Sequence, residues 1–271
     1  MFSRKIVIVA FIGVMIFLAC AIFAKWLSPH DPNATNPDSV LAPPSETFWF
    51  GTDQYGRDTF SRLIYGARIS LIIGVLAVSI ACVVGVFLGL CAAYFGGWVD
   101  IIITRVCETI SCIPAIMVSV ALITILGHSI SSLAVILSIS TVPGYVRMMR
   151  GQALSAKQTD YVKSSEIHGA SSLYSMFKHI LPNTISPIIV LLTQQVGATI
   201  LMESGLSYLG VGITIPTASW GTMVANGKNY LISNPVLALA PGLCVAILVI
   251  CLNVLGDGIR DAMDPRLRGE L

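Results

Sequence analysis

The sequence predicts an all-α integral membrane protein with six transmembrane helices and both termini in the cytoplasm. Three observations carry that expectation. Of the 271 residues, 55% are hydrophobic and only 11% charged, with a mean hydropathy of +0.82; a soluble domain of this size has far more charge on its surface. Six stretches, 6–24, 69–94, 110–126, 130–146, 184–202 and 236–256, contain no Asp, Glu, Lys or Arg. Each is long enough for a helix to cross hydrocarbon, which takes roughly 17–25 residues. If the N-terminus is inside, only Lys25, Arg57, Arg62, Arg68 and Lys228 of the 16 Lys and Arg residues lie outside, which is the sense of the positive-inside bias.

The first span begins after Arg4 and Lys5, and Leu18-Ala19-Cys20 faintly resembles a lipoprotein cleavage site. Its apolar run exceeds the about 7–15 residues of a signal sequence and five more spans follow, so it reads as a retained helix. The second span is longer than the bilayer requires and is expected to tilt or project. Its Gly85 and Gly89 form a GxxxG that favours close helix approach, within the chain or against a partner. The third and fourth spans are joined only by Gly127-His128-Ser129 and must form a tight antiparallel pair. Pro114, Pro143 and Pro241 are expected to kink their helices. The fifth and sixth spans carry Gln194, Gln195 and Asn253, amides suited to interhelical hydrogen bonds or to lining a path. Gln194 and Gln195 are adjacent and point to different sides. Glu203 closes the fifth span at its outer boundary, within expected reach of water, as either a helix-end group or a substrate contact.

Three soluble segments remain. The outer segment 28–68 carries Arg57 and Asp58, which either contact a partner or fold the loop onto the bundle. A second outer segment spans 203–235. Trp26, Trp49, Trp98 and Trp220 are candidate interfacial anchors. The inner segment 147–183 is the most informative. Ser155 and Gln158 match a capping box, predicting a helix over 155–168. Gly169 stops that helix, Ser171 or Ser172 caps a second one running to Lys178, and Pro182 ends the segment. Leu173, Met176, Phe177 and Ile180 share one face of the second helix. This segment is much longer than an ordinary bundle connection. It is either a folded loop packed on the bundle or a docking element for a soluble partner.

Several functions find no support. The net charge of +2 does not suggest nucleic acid. The seven cysteines lie in or near apolar runs without a CxxC, so they read as small apolar side chains rather than as metal ligands. His30, His128, His168 and His179 are scattered and give no ligand spacing. The stretch from Gly221 to Asn229 has one residue too many for a phosphate-binding loop, and Asn229 replaces the magnesium-binding hydroxyl. No clustered acid, base or nucleophile set points to catalysis.

Four segments resemble a known family. Residues Tyr161-Val162-Lys163-Ser164-Ser165-Glu166-Ile167-His168-Gly169-Ala170, followed by His179-Ile180-Leu181-Pro182-Asn183, resemble the cytoplasmic "EAA" loop of ABC importer permeases. Gly51-Thr52-Asp53-Gln54-Tyr55-Gly56-Arg57-Asp58 resembles the GTDxxGRD stretch of the dipeptide, oligopeptide and nickel permeases. Glu203-Ser204-Gly205-Leu206-Ser207-Tyr208-Leu209-Gly210-Val211-Gly212 resembles their ESxLSFLGLG stretch, and Pro216 with Ser219-Trp220-Gly221 resembles the loop after it. The order and the intervening spans also match, and the pattern resembles the C-type member of the permease pair. One departure is that Lys163-Ser164-Ser165 stands where the family has Glu-Ala-Ala, with Glu166 close by.

The resemblance implies the six-helix type-1 ABC importer fold. It implies a first helix over 1–27, an outer loop over 28–68, a transmembrane domain over 69–257 and a cytoplasmic tail over 258–271. It further implies a homologous B-type permease, two ATPase subunits that bind the ATP and magnesium, an extracytoplasmic binding protein and a cell-membrane location, with hydrolysis in other chains. Lys163, Ser164, Ser165, Glu166, Gly169, Ala170 and Pro182 become the candidate ATPase-coupling residues. Gln194, Gln195, Glu203 and Asn253 become candidate path residues, and Arg57, Asp58 and Trp220 candidate binding-protein contacts. The expected cargo is short peptides; nickel or a metal chelate is the alternative on the same architecture. An ion-gradient-driven transporter is the alternative of another class, against which the spans offer no midplane carboxylate.

Overall fold

The computed structural model describes residues 2–263. Among these residues the regular structure is helical, and the only strand-like pairing is an isolated antiparallel bridge between Thr52 and Asp58. That follows from the solvent: a helix satisfies its own backbone polar groups where lipid offers no partners. The helices are α1 (Phe2–Ile22), α2 (Ala24–Leu27), α3 (Thr59–Phe95), α4 (Gly97–Cys112), α5 (Ala115–Leu126), α6 (Ile130–Lys157), α7 (Asp160–Ile167), α8 (Ser172–Tyr174), α9 (Leu181–Tyr208), α10 (Trp220–Gly227) and α11 (Val236–Met263). Five of them, α1, α3, α6, α11 and the continuous rod ending in α9, are long and apolar enough to cross a bilayer. The bent pair α4 and α5 passes the same test together and makes a sixth span when counted as one.

Several sequence expectations are corrected here. The stretch 110–126 is not one helix: α4 and α5 meet at 95° across Ile113 and Pro114. Ser155 and Gln158 form no capping box, because α6 runs on to Lys157 and Gln158 is its C-cap. Gly169 does end α7, with φ +81°, and Ser171 caps the next helix by accepting the Tyr174 N–H. That helix does not stop at Lys178, however. A π turn over Ser175–Ile180 carries it into α9, and the Leu181 N–H donates to the Met176 carbonyl five residues back. Pro182 then falls in the first turn of α9, where its missing N–H matters least. The π turn also splits the predicted apolar face: Met176 and Ile180 are buried, whereas Leu173 and Phe177 are exposed. The outer segments are shorter than expected, since α3 starts at Thr59, α9 reaches Tyr208 and α10 interrupts the second loop. Of the predicted tail, residues up to Met263 belong to α11, while Arg266 and Arg268 lie outside the described residues.

The most extensive helix pairing is α3 against α6, and glycine permits it. A Cβ on Gly85 would stand 2.4 Å from the Tyr145 Cβ, and one on Gly89 would stand 2.8 Å from the Val146 carbonyl. The GxxxG is therefore spent inside the chain. Tyr145 and Met149 of α6 are fully buried at this seam and join Val78, Leu90, Ile200 and Leu248 in one core. The shallower partner is α1, which leans on α11 and α3 with most of its surface exposed.

Gly85→Leu should force the two backbones apart and lower stability by about 1–3 kcal/mol. Gly144→Leu, whose added Cβ has no neighbour closer than 3.8 Å, should be near neutral. Thermal melting of the detergent-purified protein checks the contrast.

Candidate functional site

With the Arg-rich side of the bundle taken as inner, the functional features sort into an outer hub, a middle cleft and an inner elbow. The outer hub begins with Asp53. One of its carboxylate oxygens accepts the Tyr55 and Arg57 N–H groups at 2.8 and 3.0 Å. The other accepts the Arg57 guanidinium at 2.7 Å, with that of Arg62 at 3.4 Å. Gly51 and Gly56 have φ near +70° and press against the carbonyls of Ala42 and Asn36, so no side chain fits there. Asp58 caps α3 by accepting the Ser61 N–H at 3.0 Å. Arg57 and Asp58 are each 2% exposed and Trp220 is 1% exposed. These three therefore fold the loop onto the bundle and present no surface to another protein. Trp220 is no interfacial anchor: its Nε1 donates to the Leu63 carbonyl and its ring meets Phe17 of α1 edge-on.

Glu203 is fully buried, not at a wet helix end. Its carboxylate accepts hydroxyl hydrogen bonds from Ser207 at 2.9 Å, Ser219 at 3.0 Å and Ser70 at 3.4 Å. Those serines lie on α9, at the N-cap of α10 and on α3, so one carboxylate ties three elements together. Gly212 and Gly221 lie so close to Ser207 that a Cβ on either would collide with it. The spacing Glu203, Ser207, Gly212, Ser219, Gly221 is thus one buried assembly, and Glu203 lines no path. Sequence reasoning missed Ser70, Ser219 and Asp53; the paired Ser and Gly around Glu203 and Trp220 were the available signal.

The amides separate as adjacency required. Gln194 donates to Asp257 of α11 at 3.2 Å, whereas Gln195 turns towards Gly144 of α6. Asn253 is exposed on α11 beside Gly197. Gln194 also borders a cleft of about 430 Å³ between α6, α9 and α11, together with Gln152, Ser186, Pro187 and Arg260. Gln194 is thus set against a cavity.

The inner elbow is rooted by Val162, Met176 and Ile180, all fully buried in the bundle core. Its outward side carries Ile167 at 84% exposure, Leu173 at 61%, Tyr174 and Phe177. Lys163, Ser164, Gly169 and Pro182 are exposed, with Ser165 and Ala170 half-buried; the Glu166 side chain lies outside the described residues. Above the elbow, Arg150 of α6 holds Asp100 of α4 through paired bonds of 2.5 Å. An anchored segment that displays several large apolar groups beside a polar concavity lined by Tyr161, Ser165 and His179 has the make-up of a protein-binding surface.

Residues 85–269 match the family profile of the binding-protein-dependent transport system inner membrane component. The chain belongs to that family. Residues 1–44 also match the N-terminal transmembrane domain of oligopeptide transport permease C. The permease is 37% identical to the dipeptide transport system permease protein DppC of Alkalihalophilus pseudofirmus, over 98% of this chain and 88% of that protein. It is 38% identical to the glutathione transport system permease protein GsiD of Escherichia coli, over 94% and 85%. It is 39% identical to the probable D,D-dipeptide transport system permease protein DdpC of Escherichia coli K12, over 95% and 86%. Its fold is that of the inward-facing MetNI methionine ABC transporter, with a TM-score of 0.62 and 18% identity over 76% of this chain and 97% of that one. It is a multi-span permease of the ABC importer type, located in the cell membrane.

Glu203→Ala should leave three buried hydroxyls without their acceptor and cost about 3 kcal/mol. Glu203→Gln keeps one acceptor oxygen and should cost about 1 kcal/mol. Melting temperature in detergent, with proteolysis of residues 209–219 as a local readout, checks the order.

Proposed function

We propose that this permease and a homologous B-type partner enclose a path for short peptides, fed by an extracytoplasmic binding protein and driven by two ATPase subunits docked beneath. Both termini face the cytoplasm in this reading. The observation that carries it is the inner elbow, rooted in the bundle core and apolar on its free side. ATP and magnesium belong to the docked subunits, and this chain contributes mechanics rather than hydrolysis. Relatives named for dipeptide, D,D-dipeptide and glutathione transport at 37–39% identity support a peptide cargo.

The continuity of the helices supplies the mechanism. A push on Leu173 and Phe177 acts on a rod that runs without a break from Ser172 to Tyr208. That rod ends at the Glu203 hub, which grips α3 and α10. Closure of the ATPase pair below would therefore move the outer cap of the bundle as a rigid body. The Gln194 cleft lies along the same rod. Lys163, exposed on the elbow, sets its charge against the ATPase surface where the related loop has a carboxylate, and we infer that an acidic group on that subunit receives it.

Co-purification of the complex expressed with its neighbouring genes tests the assembly, and a permease recovered without ATPase would refute it. Within the complex, Leu173→Glu with Phe177→Glu should abolish ATPase binding while leaving the melting temperature unchanged. Gly169 has open space around its Cβ position but φ +81°, so Gly169→Leu should strain the turn by about 1–2 kcal/mol and uncouple ATP hydrolysis from uptake. Gly169→Asn, which tolerates that backbone, should couple normally.

A further inference from the structure

The cleft beside Gln194 holds polar side chains that the fold does not use. Helix α9, which packs against both α6 and α11, forms its floor, and those two helices form its walls. From Ser186 to Gln194 the floor rises by about 12 Å. An extended chain covers about 3.5 Å per residue, so about three residues lie along it. The volume of about 430 Å³ is within the range of small-molecule sites.

Other hydroxyls on these helices turn back on their own backbone. Thr141, Thr184 and Thr193 donate to carbonyls three or four residues earlier. Among the described residues, the Ser186 hydroxyl and the Gln152 amide make no such bond, and both border the cleft. Gln194 commits its amide nitrogen to Asp257, which leaves its oxygen to accept. Pro187 has no N–H, so the Asn183 carbonyl four residues back loses its helical partner. The floor thus carries donors and acceptors that no other element takes up.

The cleft runs from the fifth span to the inner end of the bundle. Arg260, in the last turn of α11, is exposed at that end. Asp257 and Asp261, also exposed, lie beside it on the same helix. A cation flanked by two carboxylates disfavours an anionic lipid headgroup and suits a zwitterion. Met148 and Met263 complete the walls, and methionine adapts to side chains of differing shape. We propose that this cleft is an exit-side station of the translocation path. Arg260 takes the C-terminal carboxylate of the departing peptide, as a guanidinium fork fits it, and Gln152, Ser186 and Gln194 take its backbone groups. The proposal rests on the permease reading above and adds a direction, with the peptide's carboxylate towards the cytoplasm.

Contact with the cytoplasm alone would also leave these groups wet, so the experiment must read cargo rather than water. The complex co-purified with its ATPase subunits, in lipid nanodiscs without nucleotide or binding protein, should be irradiated with a dipeptide that carries 4-benzoylphenylalanine. The C-terminal amide of the same dipeptide is used separately. Benzophenone attacks methionine readily, so Met148 and Met263 report by mass spectrometry without any reporter mutation. The free acid should modify them at least about fivefold more than the amide does, and excess dipeptide without the photoreactive group should suppress the reaction. Arg260→Gln should bring the free acid down to the level of the amide, and Arg260→Lys should restore part of the difference. Equal modification by acid and amide overturns the proposal. So does modification that excess dipeptide fails to suppress, or none at either methionine, which would place lipid or the partner permease over the cleft. Should Arg260→Gln fail to assemble, acid against amide on the unaltered complex still decides. Failure in a complex that holds its ATPase subunits leaves the permease reading intact, whereas a permease recovered without them refutes that reading and this proposal with it.

Discussion

The constraint that organises this molecule is that hydrocarbon offers no partner to a peptide group. Each stretch of backbone that meets lipid must close its own hydrogen bonds, so the spans are helices. The helices can then gain most by bringing their backbones close. The seam of α3 against α6 does this through Gly85 and Gly89, where an added Cβ would lie within 3 Å of a neighbour. Small residues matter here because lipid provides no hydrophobic force to press helices together, and dense packing must take its place. The remaining spans assemble around this pair, with α9 and α11 closing the far side and α1 as an outer buttress.

Departures from helical regularity then acquire meaning, because each must be compensated locally. The π turn over Ser175–Ile180 keeps the rod continuous into Pro182, so force applied at the elbow need not cross a hinge. At the outer end, Glu203 would be ruinous in lipid without partners, yet three serine hydroxyls meet it within 3.4 Å. That hub turns a loop, two long helices and α10 into one body.

The fold class, the number of spans and the stopping role of Gly169 were legible because they depend on composition, length and single-residue backbone preference. The bend at Pro114 was legible from the proline itself, but not its sharpness, a 95° break that divides 110–126 between two helices. The capping box at Ser155 failed for a related reason: tertiary packing of α6 on α3, with Ala153 and Ala156 buried, extends the helix past a good local cap. Site residues were read by type rather than by place. Arg57, Asp58 and Trp220 look like surface contacts in a loop, but Asp53 draws both guanidiniums inward and Leu63 takes the indole N–H. The Asp53 pairs are local in sequence, but the Trp220–Leu63 bond joins residues 157 apart, beyond the reach of local patterns.

Those pairings also explain where specificity can lie in a permease of this kind. Residues fixed by the Glu203 hub and the Asp53 turn cannot change without loss of the bundle, so they do not adapt to cargo. The elbow is similarly constrained by Val162, Met176 and Ile180, which root it in the bundle core. What remains free is the surface of α6, α9 and α11 around Gln152 and Ser186, where side chains face a cleft; Gln194 beside them also binds Asp257 of α11. A change of cargo among related permeases should therefore be written in that cleft, while the hub and the elbow keep the machine that moves it.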